Sequence, residues 1–202
     1  MIGDIKEFTR YLIEDIRAYR QADPKDIYLI SFPKCGATWL QFMLAQIIVE
    51  VHGLQLDKLT VDLTNLTRAL SDVPTILWSH DGGEILYEDG TRPDPKKLFL
   101  YCGRFRYRKN RVILLIRDPR DVVVSMYHQV TKRSEKPMHF DSLSEFVRHP
   151  IYGFQRIIRF YRVWYFNRWI PREILFVRYE DLVNDGIRTL ETITKFIGIS
   201  SF

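Results

Sequence analysis

Between Ser31 and Trp39 the chain reads "SFPKCGATW", a short polar stretch set between two apolar ones. Lys34 brings a full positive charge, Gly36 lets backbone approach a ligand closely, and Thr38 adds a hydroxyl. Backbone N–H groups from Cys35 to Thr38, at the start of the helix that follows, are expected to face a bound anion. It is not the G-x-x-x-x-G-K-[ST] loop of ATP-binding proteins, because Lys34 precedes Gly36 and no strong Mg²⁺ ligand follows. An ordinary strand–loop–helix turn with a solvated lysine is the plainer reading of this stretch taken alone.

A second stretch, "RVILLIRDPRDVVVSMYH", offers another anion site. Arg117 ends an apolar strand, and Ser125 falls about two helical turns further on. A guanidinium and a hydroxyl can then converge on one phosphate. An ion pair of Arg117 with Asp118 or Asp121 at the helix start is the simpler alternative. For proton transfer near neutrality the suited side chain is histidine. Of the five histidines, His52, His80, His128, His139 and His149, His80 alone ends a predicted strand between the two anion loops. His128, on the helix after Arg117, is the second candidate.

These groups need elements to hold them. Ile5, Phe8, Leu12, Ile16 and Tyr19 recur at helical steps and predict an amphipathic first helix, ended by "ADPKD". "IYLISF" (Ile27–Phe32), "TILWSH" (Thr75–His80), "RVILLI" (Arg111–Ile116) and "EILFVRY" (Glu173–Tyr179) read as apolar strands. Helices are expected from Thr38 to a glycine stop at Gly53, after Pro119 with Asp118 as cap, over Ser142–Arg148, over Phe154–Trp169 and from Gly186 onward. Asp57–Ser71 reads as short helical or irregular structure, and "KKLFLYCG" fits either strand or helix. Continuously apolar strands alternating with helices imply an α/β fold, three-layer, with a mostly parallel central sheet flanked by helices. No repeat, linker or low-complexity tract divides the chain, so residues 1–202 are taken as a single domain. Ligands of such sheets bind at the carboxyl ends of the strands, where both anion loops lie.

The charge of +5 and pI near 9.2 favour anionic partners. The two cysteines, Cys35 and Cys102, make neither a disulfide framework nor a metal site of ordinary ligand count. The N-terminus carries charges throughout, and no apolar run reaches the length of a membrane span, so a cytoplasmic location is expected.

The two loops together resemble those of the cytosolic sulfotransferases that use PAPS, 3′-phosphoadenosine 5′-phosphosulfate. That family's first loop reads Tyr-Pro-Lys-Ser-Gly-Thr-Thr-Trp; this chain keeps Pro33, Lys34, Gly36, Thr38 and Trp39 and differs at Phe32, Cys35 and Ala37. "ILWSHDGG" is similar to the segment in which the catalytic histidine follows a strand, and "FVRYEDLVND" to the strand and turn beside the adenine. The likeness runs patchily from about Ile27 to Ile199.

The resemblance implies a P-loop-NTPase-like sulfotransferase fold and a defined set of roles. Lys34, Cys35, Gly36, Ala37 and Thr38 would hold the phosphosulfate end, Arg117 and Ser125 the 3′-phosphate, and Trp39 and Tyr179 the base. His80 would deprotonate a hydroxyl or amine acceptor and Lys34 would stabilise the departing phosphate, with no metal and with PAP as product. A small-molecule acceptor fits better than nucleic acid. Two departures stand out. Trp78 occupies a position where the family often has lysine. The animal enzymes also carry a C-terminal Arg-Lys-Gly motif on the 3′-phosphate, and the sequence stops at Phe202 without one. The basic run "RFRYRKNR" (Arg104–Arg111) is a candidate replacement; a solvated loop or a surface for an anionic acceptor or nucleic acid are its other readings. Phe105, Tyr107, Tyr152 and Phe154 are candidates for an apolar acceptor pocket or for core. The alternative to an enzyme is a nucleotide-binding module without turnover; a kinase-like relative fits least.

Overall fold

A computed structural model describes residues 2–55, 62–81, 83, 104–135 and 137–199, with backbone alone for 2–8. Its strands are β1 (Ile27–Ser31), β2 (Ile76–Ser79), β3 (Arg111–Ile116) and β4 (Glu173–Arg178). All pair in parallel, in the order β2-β1-β3-β4. Ile27, Leu29, Ile30, Val112, Ile113, Leu114 and Leu115 are buried, as expected of strands covered on both faces. The parallel sheet flanked by helices is the architecture that the alternating pattern implies.

The helices are α1 (Ile2–Gln21), α2 (Ala37–Val51), α3 (Leu63–Arg68), α4 (Pro119–His128), α5 (Leu143–Arg148), α6 (Phe154–Phe166), α7 (Tyr179–Asn184) and α8 (Gly186–Ile197). Local chemistry sets their ends. Asp118 accepts from the Arg120 N–H ahead of α4, with Pro119 in the first turn. Ser142 caps α5 and Asp185 caps α8. Gly198 stops α8 in the left-handed conformation at φ 91°. Differences from the sequence reading lie at boundaries. Tyr179 opens α7 instead of ending β4, and α6 stops three residues short of Trp169. The ambiguous segment Lys96–Gly103, with Cys102, lies outside the described residues, as does part of Asp57–Ser71.

Phe32, Phe146, Phe160 and Trp164 fill the largest buried positions, with Phe32 meeting Phe160 edge-on at 5.5 Å between centroids. Tyr107 and Tyr152 are buried, Phe154 packs against this core, and Phe105 tilts against Tyr19. Tyr107 and Tyr152 are thus core, one of the two readings offered for these aromatics, while Phe105 and Phe154 are half-buried. Among the described residues no helix is long and apolar enough to cross a membrane.

Register carries this fold to function. Ser31 pairs with Leu115, Ile30 with Ser79, and Ile116 with Arg178. The residues just beyond the strands, including Lys34, His80, Arg117 and Tyr179, thus emerge along one edge of the sheet. Chain order reverses between β1 and β3, the switch point at which such sheets form their crevice.

Candidate active site

The first loop is tightly wound. Lys34 has φ 71° and Gly36 φ 94°, left-handed conformations that are uncommon for a residue with a β-carbon and often found at functional sites. Gly36 cannot be replaced without conflict: a β-carbon there would lie 2.6 Å from Tyr179 Cδ2. The first intrahelical bond of α2 runs from Leu40 N–H to Gly36 O at 3.0 Å. The amides of Gly36, Ala37 and Thr38 therefore belong to a helix start, where donors lack intrahelical partners. The Cys35 N–H instead donates to Phe32 O at 3.3 Å. Thr38 is exposed and Ala37 buried.

The Cys35 departure has a physical reason. Its side chain is fully buried, with Sγ 3.4 Å from the Tyr161 hydroxyl. That hydroxyl donates to Arg117 O at 2.7 Å and accepts from Arg117 N–H at 3.1 Å. With its one hydrogen committed, it takes the thiol as donor. Tyr161, on α6, thus ties the first loop to the second. Burial pushes the Cys35 thiol up to about 11, with Tyr161 and Arg117 pulling it part of the way back.

Arg117 sits where the loops meet. Its guanidinium lies over the Tyr179 ring, 4.2 Å from the centroid, and one nitrogen donates to Lys34 O at 3.3 Å. The alternative ion pair with Asp121 is long, 3.8 Å, and Asp121 is mostly exposed, so it adds little. Asp118 pairs instead with Arg120 at 2.5 Å, and hydrogen bonds from Arg120 hold its carboxyl down at about 2. Ser125 is half-buried two turns along α4. Among the described residues no hydrogen bond joins it to Arg117.

Lys34 points at α4's continuation. Residues Gln129–Arg133 form a π-helical turn, a feature often found at functional sites, and Gln129 Oε1 accepts from Lys34 Nζ at 3.0 Å. Burial lowers the Lys34 pKa from the ordinary lysine value, and the nearby charges of Arg133 and Arg117 lower it further. Trp39 meets Tyr179 edge-on, 5.8 Å between centroids, and is 41% exposed.

His80 directly follows β2. Its Nδ1 lies 2.9 Å from Ser31 O at the end of β1. A carbonyl only accepts, so Nδ1 carries the hydrogen, and in the neutral ring the lone pair falls on Nε2. Trp78 borders the ring edge-on at 5.3 Å. The other histidines have local work: His52 bridges Ile48 O and Asp72, His149 accepts from the Ile151 and Tyr152 amides, and His139 is exposed beside Asp141. His128 is half-buried against Tyr127.

Sequence reasoning missed Tyr161, Gln129 and Glu180, which accepts from Asp118 N–H at 2.8 Å. Only Glu180 had a local signal, in "RYED". The basic run is evident in the sequence, but its partners lie on distant elements. Arg104 pairs with buried Asp81 at 2.5 Å, Arg106 with buried Asp15 at 2.6 Å, and Lys109 bonds Tyr19 O at 3.1 Å. Arg111 bonds the Phe196 and Ile197 carbonyls. These cations are engaged inside the fold, which corrects the reading of the run as a free anion-binding surface.

Comparison with known proteins gives matches over most of the chain. The family model for the sulfotransferase domain matches residues 24–201. The 3-alpha-hydroxysteroid sulfotransferase of Cavia porcellus is 28% identical over 203 residues, 95% of this chain and 65% of that protein. Flavonol 3-sulfotransferase of Flaveria bidentis is 25% identical over 228 residues, 96% of this chain and 67% of the relative. The structure of mouse sulfotransferase SULT7A1 complexed with PAP aligns at a TM-score of 0.51 and 20% identity, covering 90% of this chain and 61% of that one. The chain thus spans about two thirds of the length of the curated relatives it matches.

Proposed function

The chain belongs to the sulfotransferase domain family, and on that premise we propose that it transfers a sulfuryl group from PAPS to the hydroxyl, or amine, of a small-molecule acceptor. The observation that supports this best is the convergence of four strand ends. Lys34 O, the Arg117 guanidinium and the Tyr179 ring form one connected set, and His80 is fastened to the end of the same β1 strand.

When bound, PAPS supplies a sulfuryl group on a phosphate leaving group. Gly36 fits that role, since any β-carbon there would fill the space against Tyr179. The Gly36–Thr38 amides and Lys34 would hold the phosphosulfate end, Lys34 leaving Gln129 to do so. Negative charge grows on the departing phosphate oxygen, and a fixed ammonium with helix-start amides stabilises it. Arg117 and Ser125 would hold the 3′-phosphate, with Trp39 and Tyr179 against the base. His80 Nε2 accepts the acceptor's proton as its oxygen or nitrogen bonds to sulfur, and the sulfur–oxygen bond to phosphate breaks with its electrons on PAP. The scheme asks for no metal.

The acceptor class follows the relatives, which are named for steroid and flavonol acceptors. A cytoplasmic location and a single sulfotransferase-like domain over residues 1–202 belong to the same proposal. Trp78, in place of the family's lysine and 48% exposed beside His80, favours one other reading, a nucleotide-binding module without turnover. Labelled PAPS offered with alcohols, phenols, amines and sugars separates the two. Label transfer to an acceptor is expected; PAP binding with no transfer to any acceptor would favour the module.

A further inference from the structure

The residue after His80 is held more firmly than any loop residue needs to be. Asp81 has φ 48°, a left-handed conformation for a residue with a β-carbon. Its N–H donates to Ser79 Oγ at 2.9 Å, and Gly83 N–H closes the turn onto His80 O at 2.8 Å. The Asp81 carboxylate is buried, meeting Arg104 Nε at 2.5 Å while Tyr107 Oη donates to its other oxygen at 2.9 Å. Burial pushes the Tyr107 pKa well up, which keeps that hydroxyl a donor.

The anchor reaches further. Arg104 also donates to the Tyr11 hydroxyl at 2.6 Å, and Arg106, two residues on, pairs with Asp15 of α1, itself 1% exposed. Two carboxylates and two guanidiniums therefore lock the basic run between α1 and the His80 turn. Ion pairs this buried are poor sources of stability but hold geometry well. What they hold here is the backbone of the histidine whose ring bonds Ser31 O.

We propose that Asp81 and Arg104, an ion pair, with Tyr107 as hydrogen-bond donor to the carboxylate, are positioning residues that fix His80 against the Ser31 carbonyl and so select the Nδ1–H tautomer. None of the three need touch a substrate. The proposal rests on the sulfotransferase reading only for its consequence in turnover; the tautomer itself is a property of the free protein.

The test reads the His80 ring directly by nitrogen NMR of the full chain labelled in histidine, with the signal assigned by its loss in His80→Gln. The wild type is expected to show the Nδ1–H tautomer alone. Asp81→Asn should replace it with a mixture of tautomers. Tyr107→Phe, which keeps the ion pair and the ring, should do so more weakly and covers the case in which Asp81→Asn fails to fold. PAP affinity should stay within about twofold in the variants, while kcat of Asp81→Asn falls roughly 10- to 100-fold with little change in the KM for PAPS. A wild type lacking the single Nδ1–H tautomer overturns the proposal. So do folded variants that keep it, or that lose it only together with PAP binding. A wild type with the expected tautomer but no transfer to any acceptor sinks the sulfotransferase reading and leaves the clamp standing.

Discussion

Gly36 and Tyr179 are packed so closely that a β-carbon on Gly36 would lie 2.6 Å from Tyr179 Cδ2. The loop after β1 and the start of α7 are thereby pressed together at the mouth of the crevice. Gly36→Ala meets this contact and a φ of 94° at once. Backbone strain of that kind costs about 1–3 kcal/mol, and Tyr179 must also move. PAP affinity is expected to fall at least about tenfold, as read by calorimetry, with a lower melting temperature. Unchanged affinity would mean that the loop does not face the nucleotide.

Lys34 is held by Gln129 at 3.0 Å in the free protein. If it meets charge that develops at the departing phosphate, Lys34→Ala should lower kcat roughly 100- to 1,000-fold, more than it lowers PAP affinity. Steady-state kinetics beside calorimetry decide this. Equal losses in both would reduce Lys34 to a ground-state contact.

Arg117 is assigned to the 3′-phosphate. Hydrogen bonds to charged groups are worth about 1.5–3 kcal/mol, so Arg117→Ala should weaken PAP roughly 10- to 100-fold while leaving 5′-AMP, which lacks that phosphate, nearly as before. The discriminating quantity is the ratio of the two affinities. A ratio that survives the substitution places the 3′-phosphate elsewhere.

The loops after β1 and β3 are legible in the sequence because their logic is local. Lys34, Gly36 and Thr38 sit within five residues of one another, and Arg117 with its cap Asp118 marks a strand end without help from the rest of the chain. Parallel strands follow from continuous apolar runs such as "RVILLI". Tyr161 was illegible because its partner Arg117 is 44 residues away, and nothing around it on α6 distinguishes a structural tyrosine. The basic run misled for a related reason. Arginines on the page look solvated, yet Arg104 is 4% exposed, because Asp81 and Asp15 neutralise the run from distant elements. The Lys34–Gln129 contact depends on a π-turn that periodicity does not announce.

Cys35 gives a pH signature. An unfolded thiol ionises near about 8.5, and burial raises Cys35 in the folded chain to about 11. The folded state binds this proton more tightly, so its contribution to stability is full below the unfolded value and is lost as pH rises from there through about 11. Iodoacetamide at pH 8 should leave Cys35 unmodified in the native protein and alkylate it once denaturant is added, with the site located by mass spectrometry. Rapid native labelling would show that the thiol is not sealed against Tyr161.

The most direct measurement of the central claim compares His80→Ala with wild type in a single turnover of labelled PAPS at saturating acceptor, with PAP affinity measured alongside. Loss of a general base costs on the order of 100- to 10,000-fold in rate. The expected result is a loss of that size in sulfuryl transfer, with PAP affinity within about twofold of wild type. Transfer at a near-wild-type rate by His80→Ala would contradict the assignment of His80 as the base.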